Sequence, residues 1–175
     1  LPIGQPIIFV ANHQSTFEIP GLIYFLRRFH GKFISKKELA SGIPSISFNL
    51  KYGVAANIDR NDPKQAVAEI LKLANNMKTK NWSAFIFPEG TRTKNGQMKA
   101  FYVGGIATLL KKNPDALIVP IAINGSYEMT KNGFPFNPFV KMSWEVLEPI
   151  DKTGKTLEEI VLDAENKIRA KVKNS

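Results

Sequence analysis

Hydrophobic positions along the chain follow two alternating patterns. Short apolar runs typical of buried strands occupy residues 7–11, 32–35, 53–58, 83–87 and 117–123, and residues 140–146 alternate as a half-buried strand does. Helical spacing of apolar residues follows Ser15, Asp62 and Thr156 and recurs at residues 105–112. Strands that alternate with helices predict an α/β fold: a single three-layer domain over residues 1–175, with a mixed central sheet flanked by helices.

Local signals predict where the helices begin and how one strand is placed. Ser15 and Glu18 form a capping-box pattern, which predicts a helix that carries residues 19–29. Asp62 followed by Pro63 predicts an N-cap and a helix with the apolar face Val67, Ile70, Leu71, Ala74 and Met77. A second capping box, residues 156–159, begins the last helix. Pro120 predicts a sheet edge or a bulge in the strand at residues 117–123.

Composition narrows the classes of function. The 175 residues carry 24 Lys and Arg against 15 Asp and Glu, a net charge of +9, which favours an anionic partner. The absence of cysteine excludes disulfides, thiolate metal sites and a cysteine nucleophile. The longest apolar run, residues 116–123, is far shorter than the roughly 20 residues of a transmembrane helix. We expect a soluble or peripheral intracellular domain, and the first residue, a leucine, suggests that a native N-terminal segment is missing.

The first candidate for chemistry is the segment 12–18 (NHQSTFE), at a predicted junction of strand and helix. His13 is a natural general base near neutral pH, and the carboxylate of Glu18 can orient its ring. Residues five apart on one helix are separated by about 140°, so the two side chains meet only if His13 lies in the turn before the helix. Taken alone, Glu18 could equally be a capping carboxylate and His13 a polar loop residue.

The second candidate is the segment 87–94 (FPEGTRTK), which leaves a predicted buried strand. Gly90 allows a close approach of the backbone to a ligand, Thr91 offers a hydroxyl, and Arg92 can bind a phosphate through two hydrogen bonds. An ordinary polar turn is the alternative. Arg60, at the end of the strand 53–58, could bind the same anion as Arg92 or could pair with Asp59 at the surface. Residues 119–122 are apolar and could line a pocket.

Taken together and in this order, these segments resemble the glycerolipid acyltransferase family. The resemblance covers residues 7–126 and is strongest to the 1-acyl-sn-glycerol-3-phosphate acyltransferases, which make phosphatidic acid. It implies a fold like that of glycerol-3-phosphate acyltransferase and a catalytic pair of His13 and Glu18, where the family more often has Asp. By the same resemblance, the residues that bind the substrate phosphate are Arg60, Glu89, Gly90, Thr91 and Arg92, to which we add Lys36, and Val119 and Pro120 form a pocket wall.

The implied reaction is direct acyl transfer to the 2-hydroxyl of lysophosphatidic acid. His13 removes the hydroxyl proton, the alkoxide attacks an acyl thioester, and backbone N–H groups stabilise the oxyanion. The donor is a thioester of acyl-carrier protein or of coenzyme A, and no metal or organic cofactor is expected. Other lysolipids are alternative acceptors.

Membrane contact is also expected, because two aromatic segments stand beside basic residues. Residues 22–29 place bulky apolar side chains next to two arginines, and residues 133–139 place three phenylalanines in a proline-rich loop. Core packing of both segments is the alternative. We expect the protein at the cytoplasmic face of a membrane, peripheral or anchored by a segment outside this chain, with no nucleic-acid partner.

Two other classes of function use the same residues. An esterase would use Ser15 as its nucleophile, although the usual Gly-x-Ser-x-Gly pattern is absent. A non-catalytic module that binds anionic lipid would account for the charge but not for the histidine–carboxylate pair beside FPEGTR.

Overall fold

Strands and helices alternate in the computed structural model, which describes residues 1–37, 56–59 and 61–173. The strands are β1 (Ile7–Ala11), β2 (Gly31–Lys36), β3 (Ala56–Ile58), β4 (Ser83–Ile86), β5 (Leu117–Asn124) and β6 (Ser143–Val146). The helices are α1 (Glu18–Phe25), α2 (Pro63–Lys80), α3 (Val103–Lys112), α4 (Ser126–Thr130) and α5 (Leu157–Arg169), and a 3₁₀ helix covers Arg27–Phe29. The predicted α/β class is confirmed. Residues 53–55 of the predicted third strand lie outside the described residues.

The six strands hydrogen-bond in the order β3-β2-β4-β1-β5-β6. Strand β2 is parallel to both β3 and β4, whereas β5 and β6 are antiparallel. The predicted mixed sheet is therefore confirmed. Contacts divide the chain into two compact units, the first made of Leu1–Ile8, Arg28–Ile86 and Gly104–Leu117 and the second of Phe9–Arg27, Phe87–Val103 and Ile118–Ser175.

In the first unit, helix α2 begins as its sequence predicts. The side chain of Asp62 accepts a hydrogen bond from the backbone N–H of Gln65 at 3.0 Å, and Pro63 occupies the first helical position. The buried face of the helix consists of Ile70, Leu73, Ala74 and Met77. Val67 is exposed and Leu71 only partly buried, so the predicted apolar face is correct in its centre and wrong at these two positions.

In the second unit, helix α5 begins with the predicted capping box. Thr156 accepts a hydrogen bond from the backbone of Glu159, and the Glu159 carboxylate accepts one from the backbone of Thr156. Two side chains of α5 hold the segment that follows FPEGTR: Glu165 accepts from the N–H of Phe101, and Arg169 donates to the carbonyl of Met98. This anchoring matters for the site described below, because that segment carries one of its cations.

The beginning of α1 differs from the prediction. The helix begins at Glu18 with Phe17 as N-cap and ends at Phe25, rather than beginning at Ser15 and running to Phe29. The hydroxyl oxygen of Ser15 accepts from the N–H of Phe17 at 3.3 Å, so it does not cap residue 18. Half of the capping box exists nevertheless, because the Glu18 carboxylate accepts from the N–H of Ser15 at 2.7 Å.

Pro120 also lies in a different setting from the one predicted. Strand β5 has β1 on one side and β6 on the other, so the prediction of a sheet edge is wrong. The register with β6 runs from Ile121 to Asn124 only, and Pro120 lies just beyond it. Because Pro120 lies outside the paired register, its lack of a backbone N–H costs no hydrogen bond between the paired residues of β5 and β6. Its carbonyl still accepts a hydrogen bond from the N–H of Leu147 at 2.9 Å. Strand β6 begins at Ser143, so it is shorter than the predicted strand at residues 140–146, and Val140 and Met142 precede it.

Exposed aromatic rings collect in the second unit. Phe134 and Phe139 are 87% and 93% exposed and belong to a run of exposed residues from 131 to 139. These two rings therefore do not pack in a buried core beneath the loop. Ring contacts join Phe17 to Phe136 at 4.8 Å and Phe136 to Phe134 at 5.8 Å. We call the exposed rings of this loop and of the α1 region the aromatic patch: Phe17, Tyr24, Phe25, Phe134, Phe136 and Phe139.

No helix among the described residues has the length and apolar character needed to cross a membrane.

Candidate active site

A histidine–carboxylate pair lies where β1 leads into α1. His13 stands in the turn after β1, Glu18 is the first residue of α1, and His13 Nδ1 lies 2.7 Å from Glu18 Oε2. The side chain of Glu18 is fully buried, whereas that of His13 retains 14% of its exposure. The predicted geometry, with the histidine in the turn and the carboxylate in the first helical turn, is confirmed.

This contact determines which ring nitrogen can act as a base. An ionised carboxylate is only an acceptor, so the proton of a neutral His13 imidazole lies on Nδ1 and is donated to Glu18. The lone pair is then on Nε2, the nitrogen that does not face Glu18. The pair therefore provides a proton acceptor oriented by a buried carboxylate, as general-base catalysis requires.

The carboxylate itself is held by donors from two parts of the second unit. Glu18 Oε1 accepts from the backbone N–H groups of Gln14 and Ser15, each at 2.7 Å. It also accepts from the hydroxyl of Ser126 at 2.6 Å. The backbone carbonyl of Glu18 accepts from the indole N–H of Trp144 at 3.2 Å.

The same indole restricts the helix that carries Glu18. A Cβ built on Gly21 would lie 2.4 Å from the Trp144 ring, so a glycine is needed for α1 to approach this residue of β6. Trp144 thus contacts α1 both by a hydrogen bond and by close packing.

The FPEGTR segment holds His13 from its other side. Glu89 Oε1 accepts from the backbone N–H of His13 at 2.7 Å, and the N–H of Thr93 donates to the His13 carbonyl at 3.0 Å. The ring of Phe87 stacks on the imidazole with centroids 4.1 Å apart and an interplanar angle of 18°. His13 and Glu89 are 76 positions apart in the chain, so the two motifs are parts of one site.

Glu89 has a different role from the one the resemblance implied. The residue is 2% exposed, and its second oxygen accepts from the backbone N–H of Lys99 at 2.8 Å. Burial raises the pKa of Glu89 above its ordinary range, although the N–H groups of Lys99 and His13 act in the opposite direction. Because backbone donors occupy both oxygens, we assign Glu89 to positioning the backbones of His13 and Lys99 rather than to the substrate phosphate.

The FPEGTR segment continues with an exposed hydroxyl and an exposed guanidinium, and the ammonium of Lys99 lies beside this hydroxyl. Gly90 turns the chain with φ of +71°, a conformation that favours glycine. Thr91 and Arg92 follow it and are exposed. The ammonium of Lys99 donates to the Thr91 hydroxyl at 2.6 Å and lies 3.4 Å from the Arg92 carbonyl. Lys99 was missed in the sequence because it lies seven residues beyond the motif.

The other predicted site residues lie elsewhere. Val119 and Pro120 are buried in β5, where they extend the apolar interior of the second unit. Lys36 is the last residue of β2, in the first unit. Arg60 lies outside the described residues. Its suggested partner Asp59 is bound at 2.5 Å by the ammonium of Lys37, which lowers the pKa of the Asp59 carboxyl.

Two further residues of the site make contacts that the local sequence does not predict. The side-chain amide of Asn12 forms two hydrogen bonds with the backbone of Ile123, at 2.8 and 2.9 Å, and so fixes the end of β1 beside β5. Ser126 lies 108 residues from the carboxylate that it contacts. Within the described residues, no group of three or more His, Cys, Asp or Glu side chains is arranged to hold a metal ion.

The chain combines an α/β fold with a partly buried histidine that pairs with a buried carboxylate beside the FPEGTR segment, and known proteins of similar sequence and structure identify its class. A family model described as Acyltransferase matches residues 1–124, so the chain belongs to the acyltransferase family. The crystal structure of the 1-acyl-sn-glycerophosphate (LPA) acyltransferase PlsC from Thermotoga maritima matches with a TM-score of 0.73 and 27% identity, covering 97% of this chain and 66% of that one.

Curated relatives of similar sequence are also acyltransferases by name. The chloroplastic 1-acyl-sn-glycerol-3-phosphate acyltransferase LPAT1 of Arabidopsis thaliana is 33% identical over 128 residues, which are 73% of this chain and 34% of that protein. The 1-acyl-sn-glycerol-3-phosphate acyltransferase of Pseudomonas aeruginosa is 33% identical over 136 residues, 77% of this chain and 50% of that protein. The chain thus spans between a third and a half of the length of these two relatives.

Proposed function

We propose that this chain transfers an acyl group from a thioester to the 2-hydroxyl of 1-acyl-glycerol-3-phosphate, which yields phosphatidic acid. One observation carries the proposal: the imidazole of His13 is oriented by the buried carboxylate of Glu18 and is held, ring and backbone, by the FPEGTR segment. The names of the curated relatives support this acceptor, since both are 1-acyl-sn-glycerol-3-phosphate acyltransferases.

In the proposed reaction, His13 Nε2 accepts the proton of the 2-hydroxyl as its oxygen attacks the thioester carbonyl carbon. Glu18 stabilises the imidazolium that forms, because the Nδ1 proton already points at its carboxylate. Collapse of the tetrahedral intermediate breaks the carbon–sulfur bond and forms the new ester. The proton then passes from Nε2 to the leaving thiolate, so the free thiol and the neutral imidazole are regenerated.

The donor in this proposal is a thioester of acyl-carrier protein or of coenzyme A, and the thioester itself supplies the activated acyl group. The chemistry needs no metal or organic cofactor. Both donors are acidic, and the net charge of +9 supports binding of either one.

For the acceptor phosphate we propose the cationic face of the FPEGTR loop. Arg92 offers a guanidinium, and Thr91 and Lys99 are already joined by a hydrogen bond that holds their side chains together. Lys99 is also tied to the catalytic histidine, because its backbone and that of His13 donate to the same Glu89 carboxylate. Arg60 and Lys36 remain predicted contributors to the same anion site.

The reaction is tested with purified chain, lysophosphatidic acid and an acyl thioester in detergent micelles. Formation of phosphatidic acid with stoichiometric release of free thiol is the expected result. Release of fatty acid without an acceptor, abolished by Ser15→Ala, would instead indicate an esterase. Binding of lysophosphatidic acid by a chain that turns over no acceptor would indicate a non-catalytic lipid-binding module.

Replacement of Lys99 by methionine tests the phosphate site. We expect the KM for lysophosphatidic acid to rise about tenfold or more, since a hydrogen bond to a charged group contributes about 1.5–3 kcal/mol. Arg92→Met should act in the same direction. Lys94→Met removes the same charge from an exposed position in the same loop and serves as the control. Equal changes in KM for Lys94→Met and Lys99→Met would mean that only net charge matters and would contradict the assignment.

We also propose that the aromatic patch inserts into the interface of an anionic membrane. Its rings are exposed, and two exposed cations accompany them: Arg27, whose guanidinium lies 5.0 Å from the centroid of the Tyr24 ring, and Lys131. Bulky rings beside basic side chains suit the boundary between headgroups and acyl chains. Phe17 directly precedes Glu18, so insertion of this patch would bring the lipid interface close to the catalytic helix.

The double variant Phe134→Ser and Phe139→Ser tests the membrane contact. We expect binding to vesicles with anionic lipid, measured by co-sedimentation, to fall at least about tenfold, because burial of one large apolar side chain contributes about 1.5–3 kcal/mol. Turnover of detergent-dispersed substrate should stay unchanged. Leu162→Ser is the control, since Leu162 is an exposed apolar residue on α5. Unchanged vesicle binding by the double variant would rule out this patch.

A further inference from the structure

A buried serine lies at the far side of the catalytic carboxylate. Ser126 follows β5 directly, after a turn at Gly125, whose φ is +82°. A Cβ on Gly125 would lie 2.4 Å from the backbone carbonyl oxygen of Lys141, so glycine is required there. The turn delivers Ser126 into the interior of the second unit, where the residue has no exposed surface.

The hydroxyl of Ser126 has one proton and two neighbouring oxygens. It lies 2.6 Å from Glu18 Oε1 and 3.1 Å from the side-chain oxygen of Gln14. The shorter contact is to the charged oxygen, and hydrogen bonds to charged acceptors are both shorter and stronger than neutral ones. The proton is therefore donated to Glu18.

The Ser126 hydroxyl differs from the other two donors to Glu18 Oε1. The N–H groups of Gln14 and Ser15 belong to the same turn as Glu18 and move with it. Ser126 comes from the end of β5, so it is the side chain that ties the carboxylate to the strand next to β1. With Oε1 held in this way, Oε2 is left directed at His13 Nδ1.

We propose that Ser126 is a positioning residue of the active site: its hydroxyl orients the Glu18 carboxylate and, through it, the imidazole of His13. The inference rests on the proposed acyl transfer for its kinetic consequences, but the geometry can be tested without turnover. The titratable groups that face Glu18 are His13 and Glu89, and both are kept in the Ser126 and Thr130 variants that test this proposal.

Two measurements on Ser126→Ala test the proposal. We expect kcat to fall about tenfold with little change in KM, because substrate contacts remain while the base loses its alignment. We also expect the NMR titration midpoint of His13 to move, because the carboxylate that its ring contacts loses a hydrogen-bond donor.

The chain provides its own controls. His30 is the second of only two histidines and is exposed, so its titration should be unaffected in the same spectra. Thr130→Val removes a hydroxyl that donates to the Ser126 carbonyl at 2.9 Å without touching the carboxylate, and it should leave both kcat and the His13 midpoint unchanged. If Ser126→Ala folds poorly, Ser126→Cys, which keeps a weak donor, should show a smaller change in the same direction.

A His13 midpoint that does not move in Ser126→Ala, or that moves together with that of His30, overturns the proposal. A loss of activity that merely follows the loss of folded protein, measured by thermal unfolding, overturns it as well. Absence of turnover by the wild-type chain would contradict the proposed reaction, whereas the shift in the His13 titration would still test Ser126.

Discussion

Replacement of His13 by alanine is expected to reduce kcat for formation of phosphatidic acid by about a hundredfold or more, the usual contribution of a positioned general base. The variant loses the imidazole that contacts the Glu18 carboxylate on one side and the Phe87 ring of the FPEGTR segment on the other. Its backbone contacts remain available, since Glu89 and Thr93 bind the N–H and the carbonyl of residue 13 and not its ring. Turnover should therefore fall while the protein stays folded.

The control for this change is the other histidine. His30 has a φ of +49°, which asparagine tolerates better than alanine, so His30→Asn is the matched variant. It should retain wild-type turnover. A His13→Ala variant that keeps more than about a tenth of the wild-type kcat, with unfolding at the wild-type temperature, would remove His13 from the role of general base.

Glu18→Gln is expected to be at least as damaging, with kcat lower by about a thousandfold or more, as is typical when a buried carboxylate that sets a histidine tautomer becomes an amide. The amide oxygen can still accept from Gln14, Ser15 and Ser126, which leaves the NH₂ group facing His13 Nδ1. Nδ1 then has to accept, so the ring proton moves to Nε2 and the base is lost.

Glu18→Asp tests the length of the side chain at this position while keeping its negative charge. It keeps the carboxylate and matches the family's more common residue, but it is one methylene shorter and cannot keep the present contacts to both His13 and Ser126 without a shift of α1. We expect an activity between those of wild type and Glu18→Gln. Wild-type kcat in the Gln variant, measured beside its thermal unfolding, would show that the carboxylate only caps the helix.

Local sequence signals predict the parts of this fold that depend on local contacts. The N-cap at Asp62 and the capping box of Thr156 and Glu159 were both correct, because each consists of residues three positions apart. The same logic failed at Ser15. There the Glu18 carboxylate is shared between the backbone, His13 and Ser126, and the N-cap is Phe17, two residues later than the local pattern predicts.

In the candidate site too, some residues could be predicted from the sequence and others depend on contacts between distant parts of the chain. His13 and Glu18 could be paired from their spacing, and the FPEGTR segment could be linked to them by resemblance. The contacts of Glu89 could not be predicted, since a surface carboxylate and a buried one that binds two backbone N–H groups look alike in a sequence. Ser126 depends on strand order, because β5 lies next to β1 although more than 100 residues separate them in the chain.

The contact between Trp144 and α1 bears on how this enzyme can be divided. The region that the family model matches ends at residue 124, yet the indole that packs against Gly21 and binds the Glu18 carbonyl comes twenty residues later. The side chains of Glu165 and Arg169 that hold the segment carrying Lys99 come later still. A fragment or chimera intended to keep these contacts therefore has to be cut after α5, because residues beyond the region matched by the family model hold the segments of the site.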